Sequence, residues 1–424
     1  MSPAMLSVML VLFALSVPVA IAIGVASLVG LGFTNLPPIV LAQQVYVALD
    51  RFPLAAIPFF ILAGNLMDVG GLSRRLVELA RAFVGGIQGG LAATCVLTCM
   101  IFAAISGSSV ATTFAVGSVL IPALLRHGYP VGFAAALQAA SAELGVIIPP
   151  SIPMILFGIS TQTSIPELFI AGFGPGLFIS SALIVTVLIW CRIKGWGKQD
   201  GDGRLGKRVA IKQAAFSLLM PVIILGGIYG GITTPTEASI IAVVYALVVG
   251  LFIHREISFK QLFPVFRKSV ISSAVIMFII ATASFFSYLL NRVGVPDAAA
   301  LWLTETFSSQ GAFLMAVNMA LFVVGMFIET SASIIVLAPI LTDAAIKLGI
   351  DPVHFGTIMV VNLALGMITP PFGVNLFAAA QVAGCSIDKM IKPLLVFIAV
   401  IIGCLLAITY VPAIPLFLRD LLMR

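Results

Sequence analysis

The chain has 424 residues, 61% hydrophobic and only 9% charged. That is too little charge to solvate a globular surface and too little polarity for disorder, so lipid is the main solvent and a soluble multidomain protein is excluded. The formal charge is +6 and the pI near 9.2, but the Lys and Arg residues lie in short loops between apolar spans, which reads as membrane topology rather than nucleic-acid binding.

Residues 5–31 read as a retained first span, because the N-terminus lacks a basic region and runs apolar beyond a signal peptide's core. A second span is predicted near 52–69; at about 1.5 Å per residue such stretches cross a hydrocarbon core of about 30 Å. An arm over 71–85 carries Leu72, Leu76, Leu79 and Phe83 on one face and Arg74, Arg75, Glu78 and Arg81 elsewhere, as an interfacial helix would. Residues 89–125 are apolar but interrupted by Ser106-Gly-Ser-Ser109. A non-helical tip at that depth must be buried in protein or line a cavity, so a re-entrant helical hairpin is predicted.

Spans follow over 131–163, broken at Pro149-Pro150, and over 167–191. Basic residues then cluster from Arg192 to Lys212 (Arg192, Lys194, Lys198, Arg204, Lys207, Arg208, Lys212) and again from His254 to Lys268 (Arg255, Lys260, Arg267, Lys268). Positive-inside logic puts both clusters in the cytoplasm, with spans 215–231 and 236–253 between them. A span at 270–290 and an arm at 297–309 come next. A second hairpin over 311–347 is interrupted by Glu329-Thr-Ser-Ala-Ser333. Residues 353–384 form a span broken at Pro370-Pro371, and 390–416 form the last.

The segment from Leu124 resembles that from Ala345 at an offset of 221 to 222: Gly128 matches Gly349, Phe133 Phe355, Gly145 Gly366 and Pro149-Pro150 Pro370-Pro371. The chain therefore divides into a first repeat over 1–190 (scaffold 1–70, then the arm, hairpin, broken helix and closing helix), a basic loop and connector over 191–235, and a second repeat over 236–424 (scaffold 236–290, then the same series). Arg74, Arg75, Arg81 and Arg126 flank the first hairpin. Asp297, Glu305, Asp343, Lys347 and Asp351 flank the second. The first hairpin is thus expected to open from the cytoplasm and the second from outside. Nine spans plus two hairpins place the N-terminus in the cytoplasm and the C-terminus in the periplasm, a placement that Arg419 and Arg424 fit poorly. The predicted fold class is an all-α integral membrane protein: an inverted-repeat secondary transporter with two re-entrant helical hairpins and two discontinuous helices.

Proline removes a backbone donor and clashes with the preceding turn, so both proline pairs must break their helices. Each break frees carbonyls and exposes a helix N-terminus; carbonyls and hydroxyls suit Na⁺, and helix N-termini suit a carboxylate. One such break could be a kink lined by packing contacts, whereas recurrence at one offset favours a site. Candidate Na⁺ ligands are Ser106, Ser108, Gly145, Ile148 and Pro149 at the first break and Gly325, Thr330, Gly366 and Thr369 at the second. Ser109, Thr112, Ser151, Ser331, Ser333 and Asn375 are the polar groups placed near the substrate. Glu143, a carboxyl in a span, is protonated, paired, coupled to ion movement or a structural cap. Glu237 and Glu329 are expected near membrane faces, and His127, His254 and His354 are expected to be solvated.

The five cysteines form no C-x-x-C pair, so disulfides and a transition-metal site are not expected. No G-x-x-x-x-G-K-[ST], H-E-x-x-H or G-x-S-x-G occurs, which excludes ATP hydrolysis by that loop and the common membrane hydrolases. An enzyme or channel lacks a catalytic cluster or lined pore. The energy source is then an ion gradient or a partner.

The runs FPLAAIPFFILAGNLMDVGGLSRRLVELA, SGSSVATTFAVGSVLIPALLRHGYP, AELGVIIPPSIPMILFG and NLALGMITPPFGVNLF resemble the large membrane subunit of tripartite ATP-independent periplasmic (TRAP) transporters, across essentially the whole chain. The resemblance implies inner-membrane uptake of an organic acid driven by two or more Na⁺ without ATP, with a transport domain that moves as an elevator. It implies as partners a small four-helix membrane subunit, expected not to be fused here, and a periplasmic substrate-binding protein. Family substrates include C4-dicarboxylates and sialic acid, and SGSSVATT resembles the sialic-acid type most. The alternative is a stand-alone ion-coupled anion carrier or antiporter of the same architecture that needs no binding protein.

Overall fold

The computed structural model describes residues 2–15, 17–198, 205–307, 309–371 and 373–423; Arg204, Arg424 and the side chain of Asp297, used above, lie outside the described residues. Among the described residues every regular element is helical.

The chain opens with α1 (Ser2–Ala14) and α2 (Val19–Gly32). The Met5 sulfur lies 2.3 Å from where a Cβ on Gly30 would stand, so the two helices fold back on each other. This corrects the single span expected over 5–31. Pro18 cannot continue α1, and each helix, at about 20 Å, is too short to cross alone. The count that put the N-terminus in the cytoplasm loses its first crossing. A short α3 (Ile39–Leu49), not foreseen, leads through a 3₁₀ turn (Phe52–Ala55) into α4 (Ala56–Val69). The arm is α5 (Leu72–Val84): Leu72, Leu76 and Leu79 are buried, but Phe83 is exposed and carries the Lys207 ammonium 5.4 Å from its ring centre.

The first hairpin is α6 (Gly90–Ser106) and α7 (Ser109–Arg126). The first broken span is α8 (Val131–Ala142), a turn α9 (Leu144–Ile147) and α10 (Ile152–Thr161), bent by 41°. Then come α11 (Ile165–Lys194), α12 (Lys207–Tyr229), α13 (Pro235–Val248) with a π-helical turn to Ile253, and α14 (Phe259–Arg292). Glu237 closes a capping box with Thr234 at the exposed start of α13. The second half holds the arm α15 (Val295–Thr306), hairpin α16 (Gln310–Phe327) and α17 (Thr330–Lys347), broken span α18 (Pro352–Gly366) and α19 (Val374–Ala383), α20 (Asp388–Tyr410) and α21 (Ala413–Leu422). Among the described residues nine helices are long and apolar enough to cross a membrane, ten counting the bent pair.

The helix α11, about 45 Å long at 30 residues, shows that the repeats are inverted. Beside its C-terminal end Cys191, Gln88 and Gly89 mark the base of the first hairpin. At its N-terminal end Glu167 shares Arg419 with Asp351, which follows the second hairpin. The hairpins therefore start at opposite ends of one membrane-crossing rod and meet between them. Each repeat also packs its hairpin on the other's half-helix, α7 on α19 and α17 on α10.

The last expected span, 390–416, is corrected as well. The helix ends at Tyr410, Pro412 turns the chain, and α21 folds back along α11. This explains Arg419, whose guanidinium lies 2.7 Å from Asp351, 2.8 Å from Asp420 and 3.9 Å from Glu167. His354 is likewise buried rather than solvated, with Nε2 2.9 Å from the Ile408 carbonyl. Burial pushes the Asp351 carboxyl up, but hydrogen bonds from Arg419 and from the backbone of His354 and Val353 outweigh it and hold the group below its ordinary value. A depressed folded value means the stabilisation is complete above the unfolded value of about 3.9 and is lost as pH falls through the folded one. Detergent melting should therefore fall more steeply below about pH 4 in the unaltered chain than in Arg419→Gln; parallel pH profiles would contradict the clamp.

Candidate functional site

At the first break α9 ends at Ile147, Ile148 is extended and the Pro149-Pro150 peptide is cis. The Ser151 hydroxyl donates to Val146 O at 2.5 Å and accepts from the Met154 N–H at 3.4 Å, so it closes the break and caps α10. The first hairpin tip sits on this break. Gly107 has φ +62, a left-handed value that favours glycine, and a Cβ there would lie 2.8 Å from Pro150 O. The Ile152 N–H reaches Gly107 O at 3.4 Å.

Around the tip Ser106 Oγ and Thr112 Oγ1 are 2.9 Å apart, and the Thr112 hydroxyl donates to Ser108 O at 2.8 Å. Gly145 is pressed against both: a Cβ would come within 2.6 Å of Thr112 Oγ1 and 2.7 Å of Ser108 O. The structure thus gathers Ser106, Ser108 and Gly145 and adds Thr112, which sequence reasoning had grouped with the substrate. Ile148 and Pro149 lie in the break itself. The oxygens named here are neutral hydroxyls and carbonyls, a donor set that fits a hard cation such as Na⁺.

At the second break α18 ends at Gly366, where a Cβ would stand 2.4 Å from Gly325 Cα. The Thr369 N–H donates to Gly366 O and its hydroxyl to Leu365 O, both at 2.9 Å. Thr330, which opens α17, places its hydroxyl 3.0 Å from the Met367 sulfur, and Ser109 of the first hairpin reaches the same sulfur at 3.9 Å. Gly325, Thr330, Gly366 and Thr369 therefore surround one break, and Met367 is where both tips meet. Ser331 donates to Glu329 Oε1 at 2.9 Å and Ser333 to Glu329 O at 3.1 Å, so their hydroxyls are occupied locally. Glu329 is not near a membrane face: it caps α17 at the hairpin tip, accepting from the Ser331 N–H at 2.9 Å and the Ala332 N–H at 3.3 Å.

A brace joins the two copies. Asn375 donates through Nδ2 to Glu143 Oε1 at 2.7 Å, and its Oδ1 accepts from the Thr113 hydroxyl. Both residues are buried, Asn375 at 0% and Glu143 at 2% exposure, and the Ser109 hydroxyl of the first hairpin tip also lies beside the Glu143 carboxyl. Both ends of the Asn375 amide, expected beside the substrate, are thus committed to this contact. Met367 and Thr113 were missed. Thr113 carried a signal, since it lies one turn after Ser109 in SGSSVATT, whereas nothing marked Met367.

The first tip faces a cleft of about 270 Å³ between α4 and α14 on one side and α6 and α7 on the other, lined among others by Asn65, Asp68, Ser106, Ser108, Lys268 and Ser272. Asn65 is fixed by a 2.9 Å bond to Ser269.

The family model described as the tripartite ATP-independent periplasmic transporter, DctM component, matches residues 6–414. The chain belongs to that family. It is 43% identical over 403 residues to the isethionate TRAP transporter permease protein DctMQ of Oleidesulfovibrio alaskensis, covering 95% of this chain but 64% of that relative's length. It is 43% identical over 383 residues to the C4-dicarboxylate TRAP transporter large permease protein DctM of Pseudomonas aeruginosa, covering 90% of this chain and 89% of that one. The solved structure of the Alcanivorax borkumensis YdaH transporter superposes with a TM-score of 0.63 at 15% identity, over 87% of this chain and 86% of that one, and shows a shared fold. As a DctM-family protein the chain is a multi-pass membrane permease.

Proposed function

We propose that this DctM-family chain is the translocating subunit of a Na⁺-coupled system that imports a small organic anion, and that its hairpins and broken helices move together as an elevator past α4 and α14. The observation that supports this best is the meeting of both hairpin tips at Met367, beside two breaks whose donors are neutral oxygens. Such oxygens can replace the hydration shell of Na⁺, which is cargo here rather than a resident cofactor. The start of α10 at Ser151 and of α19 after Gly373 offer positive dipole ends to a carboxylate or sulfonate.

The first tip faces a cleft lined by Lys268 of the second basic cluster, so by positive-inside logic that cleft lies on the cytoplasmic side and the C-terminus in the periplasm. Relatives named for isethionate and C4-dicarboxylates support a small sulfonate or dicarboxylate as substrate; sialic acid belongs in the same test panel. Partners are a small four-helix membrane subunit and a periplasmic binding protein, and the chain performs transport rather than catalysis.

Uptake into proteoliposomes tests this. It should require the small subunit, a loaded binding protein and an inward Na⁺ gradient together. Uptake by this chain alone would select the stand-alone carrier instead, and uptake indifferent to Na⁺ would remove the coupling. Thr369→Ala and Ser106→Ala, which each remove a hydroxyl oxygen from one break, should each raise half-saturating Na⁺ by about tenfold, the equivalent of about 1.4 kcal/mol of lost coordination. Unchanged Na⁺ titrations in both variants would refute the ligand assignment.

A further inference from the structure

A second cleft, toward the opposite end of α14 from Lys268, plays no part in the reading above. It measures about 290 Å³ and lies between α3 and α14 on one side and α10 and α17 on the other. Its polar lining includes Gln44, Arg51, Gln162, Ser284, Ser287 and Asn291, and among the described residues Arg51 is its one charged member. We propose that this cleft is an anion-receiving vestibule in which Arg51 holds the carboxylate or sulfonate of the substrate before it reaches the broken helices. The proposal rests on the anion-import reading and adds a station to it.

Arg51 is placed for capture. The hydrogen bond found for its guanidinium runs from Nη1 to Ile159 O at 3.3 Å, a long contact to a neutral carbonyl near the end of α10. A carboxylate or sulfonate offers charged oxygens to the same fork and makes the stronger partner. Arg51, Ile159 and Gln162 also line an adjoining surface cleft of about 540 Å³, so Arg51 stands on the wall between open surface and inner cleft. Gln162 on that wall ends α10 with φ +56, the left-handed conformation in which helices commonly terminate.

The two clefts differ in charge, and the difference sets a direction. In the cleft at the first hairpin tip Lys268 is accompanied by Asp68, so a passing anion meets a balanced pair there. In the Arg51 cleft no carboxylate is among the described lining residues. A cleft whose charge is positive attracts anions, and a balanced one attracts them less. The anion is held on the way in and released on the way out. The volume sits at the lower end of small-molecule pockets, about 300 to 1,000 Å³, as a sulfonate or short dicarboxylate requires.

The test places a reporter thiol in the cleft of the full chain, Ser287→Cys with the partly exposed Cys385 replaced by serine. Reconstituted protein is labelled with anionic sulfonatoethyl and cationic trimethylammonioethyl methanethiosulfonate. The anionic-to-cationic rate ratio should fall about tenfold or more when Arg51→Gln is added and be kept in Arg51→Lys. Succinate or isethionate should slow the anionic reagent only when the cation is present. A ratio unchanged by Arg51→Gln, or no slowing by succinate, isethionate or N-acetylneuraminate, overturns the vestibule. Na⁺-driven uptake is followed in parallel preparations: its absence from the unaltered chain would sink the transport reading while leaving the labelling result to be judged by itself.

Discussion

Gly366→Ala is expected to abolish Na⁺-driven uptake. The added methyl would stand 2.4 Å from both Gly325 Cα and its carbonyl carbon, backbone atoms that cannot rotate away. The hairpin must then lift off the end of α18, at a cost of about 1–3 kcal/mol for overpacking, and the oxygens of that break spread apart. Gly145→Ala, its counterpart in the first repeat, meets Thr112 Oγ1 and Ser108 O at 2.6 and 2.7 Å and should behave alike. Gly226→Ala serves as control, because nothing lies within 4 Å of that position on α12; it should be neutral or stabilise by up to about 1 kcal/mol. Uptake together with Na⁺-dependent thermal shift reads the effect. A Gly366→Ala protein that keeps its Na⁺ half-saturation would show that the close approach has no bearing on the site.

Asn375→Asp should be nearly as damaging, although it exchanges only an amide NH₂ for an oxygen. The amide donates to Glu143 Oε1 at 2.7 Å across the boundary between the repeats. The variant sets two carboxyl groups face to face in a buried place. Losing a hydrogen bond to such a group and leaving it unsatisfied costs about 3 kcal/mol, which is more than a hundredfold in an equilibrium. A lowered melting temperature in detergent and loss of uptake are expected. Asn375→Asp together with Glu143→Gln should recover part of both, since the glutamine amide can again donate. If the single variant melts and transports as the unaltered chain does, the brace carries no weight.

The breaks, the hairpins and their repetition were legible because proline chemistry and spacing are local properties. Pro149-Pro150 and Pro370-Pro371 announce interrupted helices in any context, and the offset of 221 to 222 ties them together. Contacts across the repeats were not legible. Asn375 lies 232 residues from Glu143, and only packing of α19 against α8 decides that its amide turns inward. Thr112 was grouped with the substrate because motif position does not tell which face of α7 meets Gly145. Glu329 looked exposed from its charge, yet its place on a hairpin tip turns it into a cap. The fold-back of α1 on α2 was hidden because hydropathy registers an apolar stretch and is blind to a turn at Pro18.

The packing of α7 on α19 also bears on how the chain is made. Thr113 and the amide it serves are separated by 262 residues. At 5–20 residues per second, about 13 to 50 s of synthesis pass before the first hairpin meets the half-helix that covers it. Through that interval a nascent chain carries a polar, half-clad tip in the bilayer, and a ribosome halted before Val374 leaves it so for good. Shortened products of this gene should therefore be prime targets for membrane quality-control proteases.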